Sequence, residues 1–220
     1  MIATDIPSGQ TWFSLAKTQF TDVSVAADQQ VSTQEFLDAS ECMTSIFDLM
    51  GSSLFKPMKQ DLVFNIGRVR KRYQETPEAS STVQALVAAE LALTSPHPAC
   101  DGLIWLVRGL DFLSQALLTD LENLEEENCS KELADAFKTS YDMTLGPYHN
   151  TFIRLIFKAA MGATPKRKDF YRRLSGEGVN IEITQDKLNQ YLDAQRKVVT
   201  ILKEFLTSDA ASGKWAKAKV

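Results

Sequence analysis

Three polar side chains of different chemistry follow one another in the stretch "DLVFNIGR", which runs from Asp61 to Arg68. Asp61, Asn65 and Arg68 stand at positions i, i+4 and i+7, so on a helix they share one stripe. Leu62 and Ile66 belong to an adjacent apolar stripe. An acid, an amide and a guanidinium therefore point the same way. The spacing alone also fits a solvated face with an Asp61–Arg68 ion pair, because exposed charge stripes are common and contribute little stability.

A second candidate element is "LIWLVRGLDFL", in which Trp105, Arg108 and Phe112 share a helical face by steps of three and four residues. A flat indole beside polar groups suits stacking on the apolar face of a sugar ring while its neighbours bond the hydroxyls. A tryptophan of the hydrophobic core would have the same spacing.

A third candidate element is "YDMTLGPYHNTF", where Tyr141, Leu145, His149 and Phe152 lie along one predicted stripe. A histidine on so apolar a face is either a core residue with its own hydrogen-bond partner or a group whose partner arrives with a ligand.

Composition limits the class of protein that can present these elements. The chain has 220 residues, 44% of them hydrophobic, and a formal net charge of -4 without a strongly basic block. These values favour a folded domain and disfavour nucleic-acid binding. Three widely spaced cysteines without a CxxC or Cys/His cluster argue against disulfides and structural zinc, and they fit a reducing compartment. We find no signal peptide and no membrane-spanning segment, so we expect a soluble, cytoplasmic protein.

Helical periodicity covers most of the chain, and strand-like alternation is nearly absent. We predict a single all-α domain over residues 1–220 with about seven or eight helices. One amphipathic helix is predicted over 32–51, with Gly51 as its stop, and another from about Met58 to Tyr73. The segment 130–163 keeps its periodicity across Gly146 and Pro147, which predicts one long helix bent at the proline.

No common catalytic motif occurs in the sequence. GxGxxG, GxxxxGK[ST], HExxH and GxSxG are absent, and only two histidines are available for acid-base work near neutral pH. We therefore expect no catalytic residue, no metal ion and no cofactor. A Ser/His/Asp site assembled from distant residues stays open as an esterase-like alternative.

In this order, the three elements resemble the glycolipid transfer protein family. The resemblance runs from "TWFSLAKTQF" through "STQEFLDASE", "IWLVRGL" and "AAMGATPKRKDFY" to the C-terminal "ILKEFLTSDAASGKW". It is nearest to the fungal branch, which includes the heterokaryon-incompatibility C protein. The resemblance implies a two-layer helical sandwich that holds one sphingolipid, with the headgroup at the surface and the hydrocarbon chains in an apolar pocket.

The resemblance also implies roles for the polar residues. Asp61 and Asn65 match the acid and the amide that bind the sugar, and the acid also binds the ceramide amide. Trp105 matches the platform on which the sugar stacks, and His149 matches the donor to the amide carbonyl. Arg68 stands where the animal proteins typically carry lysine, so the sugar preference is open. The tail also departs, because Ala218 replaces the family's tyrosine and Trp215 is the candidate substitute.

Apolar side chains for the implied hydrocarbon pocket occur close to these positions. Because each exposed methylene costs on the order of 0.8 kcal/mol, a water-soluble carrier of ceramide needs a dry cavity. The candidate lining residues are Phe55, Phe112, Leu145, Phe152, Ile156 and Phe157. For transient contact with a membrane surface we expect the patch "PKRKDFYRR", from Pro165 to Arg173, which interleaves cations with Phe170 and Tyr171.

The expected function is therefore binding of a glycosphingolipid and its transfer between membranes without ATP. Two alternatives share the fold: a ceramide-phosphate transfer protein and a lipid-gated signalling or sensor protein. In the ceramide-phosphate branch a lysine takes the place of Asn65 and an arginine that of Trp105, because a phosphate calls for cations. The neutral Asn65 and the indole of Trp105 therefore favour a sugar headgroup.

Overall fold

The computed structural model describes residues 6–219, apart from the side chain of Lys217, and every regular element within them is a helix. Residues 1–5 and 220 of the predicted domain lie outside the described residues. The α-helices, in chain order, are α1 (Trp12–Leu15), α2 (Thr33–Met43), α3 (Ile46–Leu49), α4 (Lys56–Glu75), α5 (Val83–Leu91), α6 (Pro98–Glu125), α7 (Leu133–Met143), α8 (Thr151–Gly162), α9 (Arg167–Leu174), α10 (Ile181–Thr207) and α11 (Lys214–Lys217). Short 3₁₀ turns occur at Phe20–Asp22, Ser53–Phe55, Glu78–Ser80, Gly146–Tyr148 and Asp209–Ala211. The predicted all-α class is confirmed, and eight of these α-helices have eight or more residues.

The central element is α6, which packs against α4, α7 and α10 in a two-layer helical sandwich. Its start is fixed by Glu90, a buried carboxylate that accepts hydrogen bonds from the backbone N–H groups of Ala99 (2.9 Å) and Cys100 (2.6 Å). These are donors that the first turn of a helix cannot satisfy internally, so Glu90 acts as a cap. None of the described helices is long and apolar enough to cross a membrane.

Two glycines of α6 let α4 approach closely. A Cβ at Gly109 would lie 2.6 Å from Cδ2 of Leu62, and one at Gly102 would lie 3.1 Å from Cβ of Arg68. Both distances are shorter than ordinary van der Waals contact between carbon atoms. The polar stripe of α4 is therefore brought directly beside α6.

The predicted helix over 32–51 is wrong in its middle, where α2 ends at Met43 and α3 begins at Ile46. The hydroxyls of Thr44 and Ser45 donate to the carbonyl oxygens of Glu41 and Cys42, each at 2.8 Å. Such bonds compete with the regular helical ladder. Gly51 has φ +69°, which fits its predicted place at the end of the segment.

The predicted bent helix over 130–163 is also wrong, because α7 and α8 are separate helices. Pro147 lies inside the 3₁₀ turn Gly146–Tyr148. Because proline has no backbone N–H, the series of helical backbone hydrogen bonds ends there. Asn150 then caps a new helix, since its side-chain oxygen accepts a hydrogen bond from the N–H of Ile153 at 3.0 Å. The break turns α8 relative to α7 and changes which residues of this segment share a face.

Candidate functional site

The polar stripe of α4 lies at the mouth of a cleft. The Asn65 side chain is buried and donates to the backbone carbonyl of Asp61 at 3.0 Å. Asp61 itself is an exposed residue, but the protein around its carboxyl group reduces hydration and raises the pKa above its ordinary value. A hydrogen bond from Asn65 and the charge of Arg68 act in the opposite direction. The carboxylate is thus poised for a ligand that supplies hydrogen-bond donors.

Arg68 makes its ion pair with α6. Its guanidinium lies 3.8 Å from the Asp101 carboxylate and 5.6 Å from the centroid of the Phe64 ring. The Asp61–Arg68 ion pair that the spacing also allowed is not among the ion pairs of residues 6–219. Because both Arg68 and Asp101 remain partly exposed, the pair leaves the guanidinium free to exchange partners.

Trp105 faces the α4 stripe from α6. The indole is half-buried and stacks on the imidazole of His149, with 5.5 Å between ring centroids and 18° between planes. The Arg108 guanidinium lies 4.8 Å from the indole centroid. A large, rigid aromatic surface is therefore held at the edge of the cleft.

His149 is buried and neutral. Its Nδ1 lies 3.1 Å from the Tyr141 hydroxyl. Burial, reinforced by the charges of Arg108 and Arg154, lowers the pKa of His149 to about 4. A neutral imidazole has one N–H donor and one acceptor nitrogen, so His149 can donate a hydrogen bond into the cleft while accepting one from the protein.

These side chains converge on one cleft of about 350 Å³. It is lined by Pro57, Asp61, Phe64, Asn65, Arg68, Trp105, His149, Ile153, Ile156 and Phe157. The five predicted headgroup residues, which lie up to 88 positions apart in the sequence (149 - 61), are all in this lining. The hydrogen-bonding side chains Asp61, Asn65 and Arg68 belong to α4, whereas the lining residues from α8 are all apolar.

A continuous series of aromatic contacts leads from the cleft into the core. His149 contacts Phe157 with 4.8 Å between ring centroids, and Phe157 contacts Phe112 at 6.3 Å. The series continues from Phe112 to Phe137 at 5.6 Å and from Phe137 to Phe55 at 6.4 Å. Three of the predicted pocket residues, Phe55, Phe112 and Phe157, therefore belong to one apolar path that starts at the polar site.

The other predicted pocket residues fall in different places. Leu145 is buried in the core, and Ile156 lines the cleft. Phe152 is 69% exposed and lies outside the cleft lining, because the break between α7 and α8 turns it to the surface. The predicted stripe from Tyr141 to Phe152 is consequently wrong.

The expected membrane patch from Pro165 to Arg173 is also wrong in its aromatic part. Phe170 and Tyr171 are 0% and 1% exposed, and the Tyr171 hydroxyl donates to the buried carboxylate of Asp120 at 3.1 Å. The Nε of Arg167 donates to the same carboxylate at 2.8 Å. This part of α9 is therefore fastened to α6 and presents no aromatic side chain to a membrane.

Arg108 lies beside the site and stabilises the structure around it, a role that the sequence did not predict. It is 1% exposed and donates to the backbone carbonyls of Ala218 (2.6 Å) and Trp215. Its guanidinium lies 3.4 Å from the ring centroid of Tyr148 and 4.7 Å from that of Trp215. Carbonyl oxygens and aromatic faces thus stabilise the buried charge, and the C-terminal segment is held beside Trp105. The signal in the sequence is an arginine on the apolar stripe of α6.

The fold and the cleft define a class of protein: an all-α protein that can hold an amphipathic molecule, with the polar end among hydrogen-bonding groups and the apolar end along an aromatic path. The family description "Glycolipid transfer protein (GLTP)" matches residues 31–176. This chain belongs to the glycolipid transfer protein family.

Individual relatives are similar over nearly the full length of the chain. The glycolipid transfer protein of Aureobasidium melanogenum is 42% identical over 209 residues, which are 95% of this chain and 98% of the relative. The crystal structure of HET-C2, a fungal glycolipid transfer protein, has a TM-score of 0.83 at 42% identity and covers 91% of this chain and 99% of that one. A structure of FAPP2, which selects simple glycosphingolipids using the GLTP fold, has a TM-score of 0.81 at 28% identity and covers 96% and 100%. The predicted family resemblance, including its fungal character, is confirmed.

Proposed function

We propose that this protein binds one glycosphingolipid and transfers it between membranes without ATP and without a catalytic step. The observation that carries the proposal is the cleft, which joins an acid, an amide, a guanidinium, an indole and a neutral imidazole to an apolar path into the core. Membership of the glycolipid transfer protein family supports the same assignment. We further propose that residues 1–220 act as a single domain, consistent with the one hydrophobic core of the described residues.

The sugar is bound between α4 and α6. Asp61 and Asn65 accept hydrogen bonds from sugar hydroxyls, and Arg68 donates to hydroxyl oxygens. The ring stacks on Trp105, where an apolar sugar face covers aromatic surface that would otherwise meet water. Each of these groups is held by backbone packing, since Gly102 and Gly109 bring α4 and α6 together.

The ceramide amide is bound where the polar site meets the apolar path. Asp61 accepts from its N–H, and His149 donates to its carbonyl oxygen. Reduced hydration at both residues strengthens these bonds relative to the same bonds in water. The hydrocarbon chains extend along Phe157, Ile156, Phe112, Leu145 and Phe55, away from solvent.

Transfer also needs transient contact with a bilayer, and a surface beside the cleft suits this contact. Four large apolar side chains are exposed there: Phe64 (63%), Phe152 (69%), Leu155 (61%) and Leu54 (48%). We call these four residues the docking face. Phe64 lines the cleft, and Lys158, an exposed cation on the same helix as Phe152 and Leu155, can interact with anionic lipids. Apolar side chains exposed together are typical of membrane or protein contact.

The proposed carrier activity is tested by transfer of labelled galactosylceramide between vesicles. Asp61→Val should abolish transfer while the helical content is retained, because the ligand's donors then lose their acceptor. Asp186→Val is the matched control, since Asp186 is an exposed aspartate of α10 outside the cleft. Transfer by Asp61→Val at the wild-type rate would show that Asp61 is part of a solvated face.

The same assay distinguishes the ceramide-phosphate alternative. A phosphate needs several cations, but Asn65 and Trp105 are uncharged, and Arg68 is the one lysine or arginine among the described residues that line the cleft. We therefore expect the protein to transfer galactosylceramide and not ceramide phosphate. Transfer of ceramide phosphate alone would overturn the proposal.

A further inference from the structure

Tyr141 and His149 form a buried polar pair at the inner side of the cleft. The Tyr141 hydroxyl and His149 Nδ1 are 3.1 Å apart, and the two residues are 4% and 8% exposed. The 3₁₀ turn Gly146–Tyr148 makes this contact possible, because it returns the chain toward the end of α7. Tyr141 is not part of the cleft lining, so its hydroxyl acts on the protein rather than on a ligand.

The imidazole of His149 is held on several sides. It stacks on Trp105, contacts Phe157 with 4.8 Å between centroids, and lies 5.8 Å from the Tyr141 ring centroid. The Nε of Arg154 also donates to the His149 carbonyl oxygen at 2.9 Å. The ring plane and the backbone are therefore fixed before any ligand arrives, and only the position of the ring hydrogen remains to be decided.

Two arrangements of hydrogen atoms are possible for this pair. If Tyr141 donates to Nδ1, the hydrogen of His149 is on Nε2, and Nε2–H is the only group of the pair without a partner among residues 6–219. If Nδ1 instead donates to Tyr141, both the hydroxyl hydrogen and the Nε2 lone pair lack partners there. Buried polar groups without partners cost free energy, so the first arrangement is favoured.

The ionisation of both groups agrees with this arrangement. Burial lowers the pKa of His149 to about 4, so the ring is neutral at neutral pH and has a single N–H. Burial raises the pKa of Tyr141 to about 12, so the hydroxyl keeps its hydrogen. A protonated phenol and a neutral imidazole are what a hydroxyl-to-Nδ1 hydrogen bond requires.

We propose that Tyr141 is a positioning residue that fixes His149 in the tautomer with hydrogen on Nε2, and thereby makes His149 a donor toward the cleft. The tautomer itself depends only on the protein. The identity of the acceptor, the amide carbonyl of a ceramide, rests on the proposed function. Tyr141 thus determines whether the inner end of the cleft presents a donor or an acceptor to the ligand.

The tautomer is measured directly by ¹⁵N NMR of the lipid-free protein with labelled histidine. The chain has two histidines, so a His97→Gln variant assigns the signals. We expect a protonated Nε2 and an unprotonated, hydrogen-bonded Nδ1 in His149, and Tyr141→Phe should shift the Nδ1 resonance toward that of an unbonded nitrogen or move hydrogen onto it. A protonated Nδ1 in the wild type, or an unchanged Nδ1 signal in Tyr141→Phe, would overturn the proposal.

A transfer assay then tests the consequence for the ligand. Tyr141→Phe should reduce galactosylceramide transfer about tenfold, and the loss should not add to that of His149→Leu in the double variant. Tyr171→Phe is the matched control, because it removes another buried, hydrogen-bonded hydroxyl, and neither Tyr171 nor its partner Asp120 lines the cleft. Wild-type transfer by Tyr141→Phe, or additive losses in the double variant, would contradict the proposal.

The two measurements separate the inference from the function on which its acceptor depends. If the wild type moves no glycolipid, the proposed function fails, while the NMR spectra of the lipid-free protein still decide the tautomer. If the wild type transfers glycolipid but the NMR signals contradict the expected tautomer, the carrier function stands and the role of Tyr141 is refuted.

Discussion

At the scale of single residues, the Arg68–Asp101 pair decides what Arg68 can do. The 3.8 Å separation and the partial exposure of both side chains describe a weak pair, so a ligand can compete with Asp101 for the guanidinium. Arg68 also lines the cleft, whereas Asp101 does not. The residue is therefore better placed to recognise a headgroup than to stabilise the fold.

The first prediction concerns lipid selectivity. Arg68→Lys should lower the preference for sulfated over neutral galactosylceramide, because a planar two-pronged donor matches a sulfate better than a point ammonium does. Arg68→Ala should lower it further, by roughly tenfold for the loss of a charged hydrogen bond. The measurement is competitive transfer of galactosyl, lactosyl and sulfated galactosyl ceramide. An unchanged ranking in all variants would remove Arg68 from the site.

The second prediction concerns the pH dependence of folding through His149. Its folded pKa of about 4 is below the unfolded value of ~6.5, so between these values the unfolded chain binds a proton that the folded protein does not. Stability should therefore fall as the pH falls from about 6.5 toward 4, by up to about 3 kcal/mol. Asp61 and Asp120 act in the opposite direction, because their pKa values are raised.

The contribution of His149 is isolated by comparison with a His149→Gln variant, which lacks the titrating group. Urea unfolding across this pH range should give a steeper loss of stability for the wild type than for the variant. Parallel pH profiles would show that His149 is not neutral in the folded protein. A constant offset between the two proteins carries no information, because the variant also loses the bond to Tyr141.

At the scale of helices, α8 combines two properties that seldom occur together in a core helix. It has apolar residues at most positions, yet only Ala160 and Met161 are buried. Apart from the exposed Ala159, its remaining apolar side chains line the cleft or belong to the docking face. An element of this kind gains little from the fold of the lipid-free protein and more from contact with lipid.

The third prediction therefore concerns the docking face. Phe152→Asp and Leu155→Asp should each weaken binding to vesicles at least tenfold, because burial of such side chains contributes about 1.5–3 kcal/mol. Ile183→Asp is the matched control, since Ile183 is 50% exposed on α10 and outside the cleft. Sedimentation with vesicles measures the effect. Loss of binding in a Lys166→Ala/Lys168→Ala variant, with normal binding by Phe152→Asp, would instead assign docking to α9.

The sequence predicted elements whose signals are local. The stripe Asp61, Asn65 and Arg68 needs only a regular helix over α4, and the family resemblance added Trp105 and His149 from other elements. The breaks at Thr44–Ser45 and at Pro147 were missed, although hydroxyl groups and a proline are visible there, because the same residues also occur in continuous or merely bent helices.

Features that depend on distant partners were not predictable from periodicity. Tyr171 belongs to a charged run, but it is buried in the core, where its hydroxyl binds Asp120, 51 positions away. The continuous periodicity across Pro147 predicts Phe152 on one stripe with His149, but the intervening turn changes the phase of α8 relative to α7. The side chain of Arg108 is buried because it binds the C-terminal segment, whose helix α11 no pattern predicted.

At the scale of the whole molecule, the cleft and the proposed cargo differ in size. A volume of about 350 Å³ lies near the lower end of the ~300–1,000 Å³ that is typical of small-molecule pockets, so it suits a headgroup but not two long hydrocarbon chains. In this structure Phe55, Phe112 and Leu145 are closely packed in the core. Lipid entry must therefore separate elements around the aromatic path, and we expect α8 to move, because only Ala160 and Met161 of this helix are buried.

The last prediction follows from this mismatch. In hydrogen exchange, the amides of α8 should exchange rapidly in the lipid-free protein and at least tenfold more slowly when galactosylceramide is bound, because the bound chains supply the apolar contacts that α8 lacks. The amides of α6, which lies at the centre of the packing, should change little and serve as the internal control. Mass spectrometry of both states at equal protein concentration measures the difference. Unchanged exchange in α8 at saturating lipid would place the hydrocarbon chains outside the path from Phe157 to Phe55, whereas a lipid-dependent change confined to α10 would place the pocket at the contact between α6 and α10.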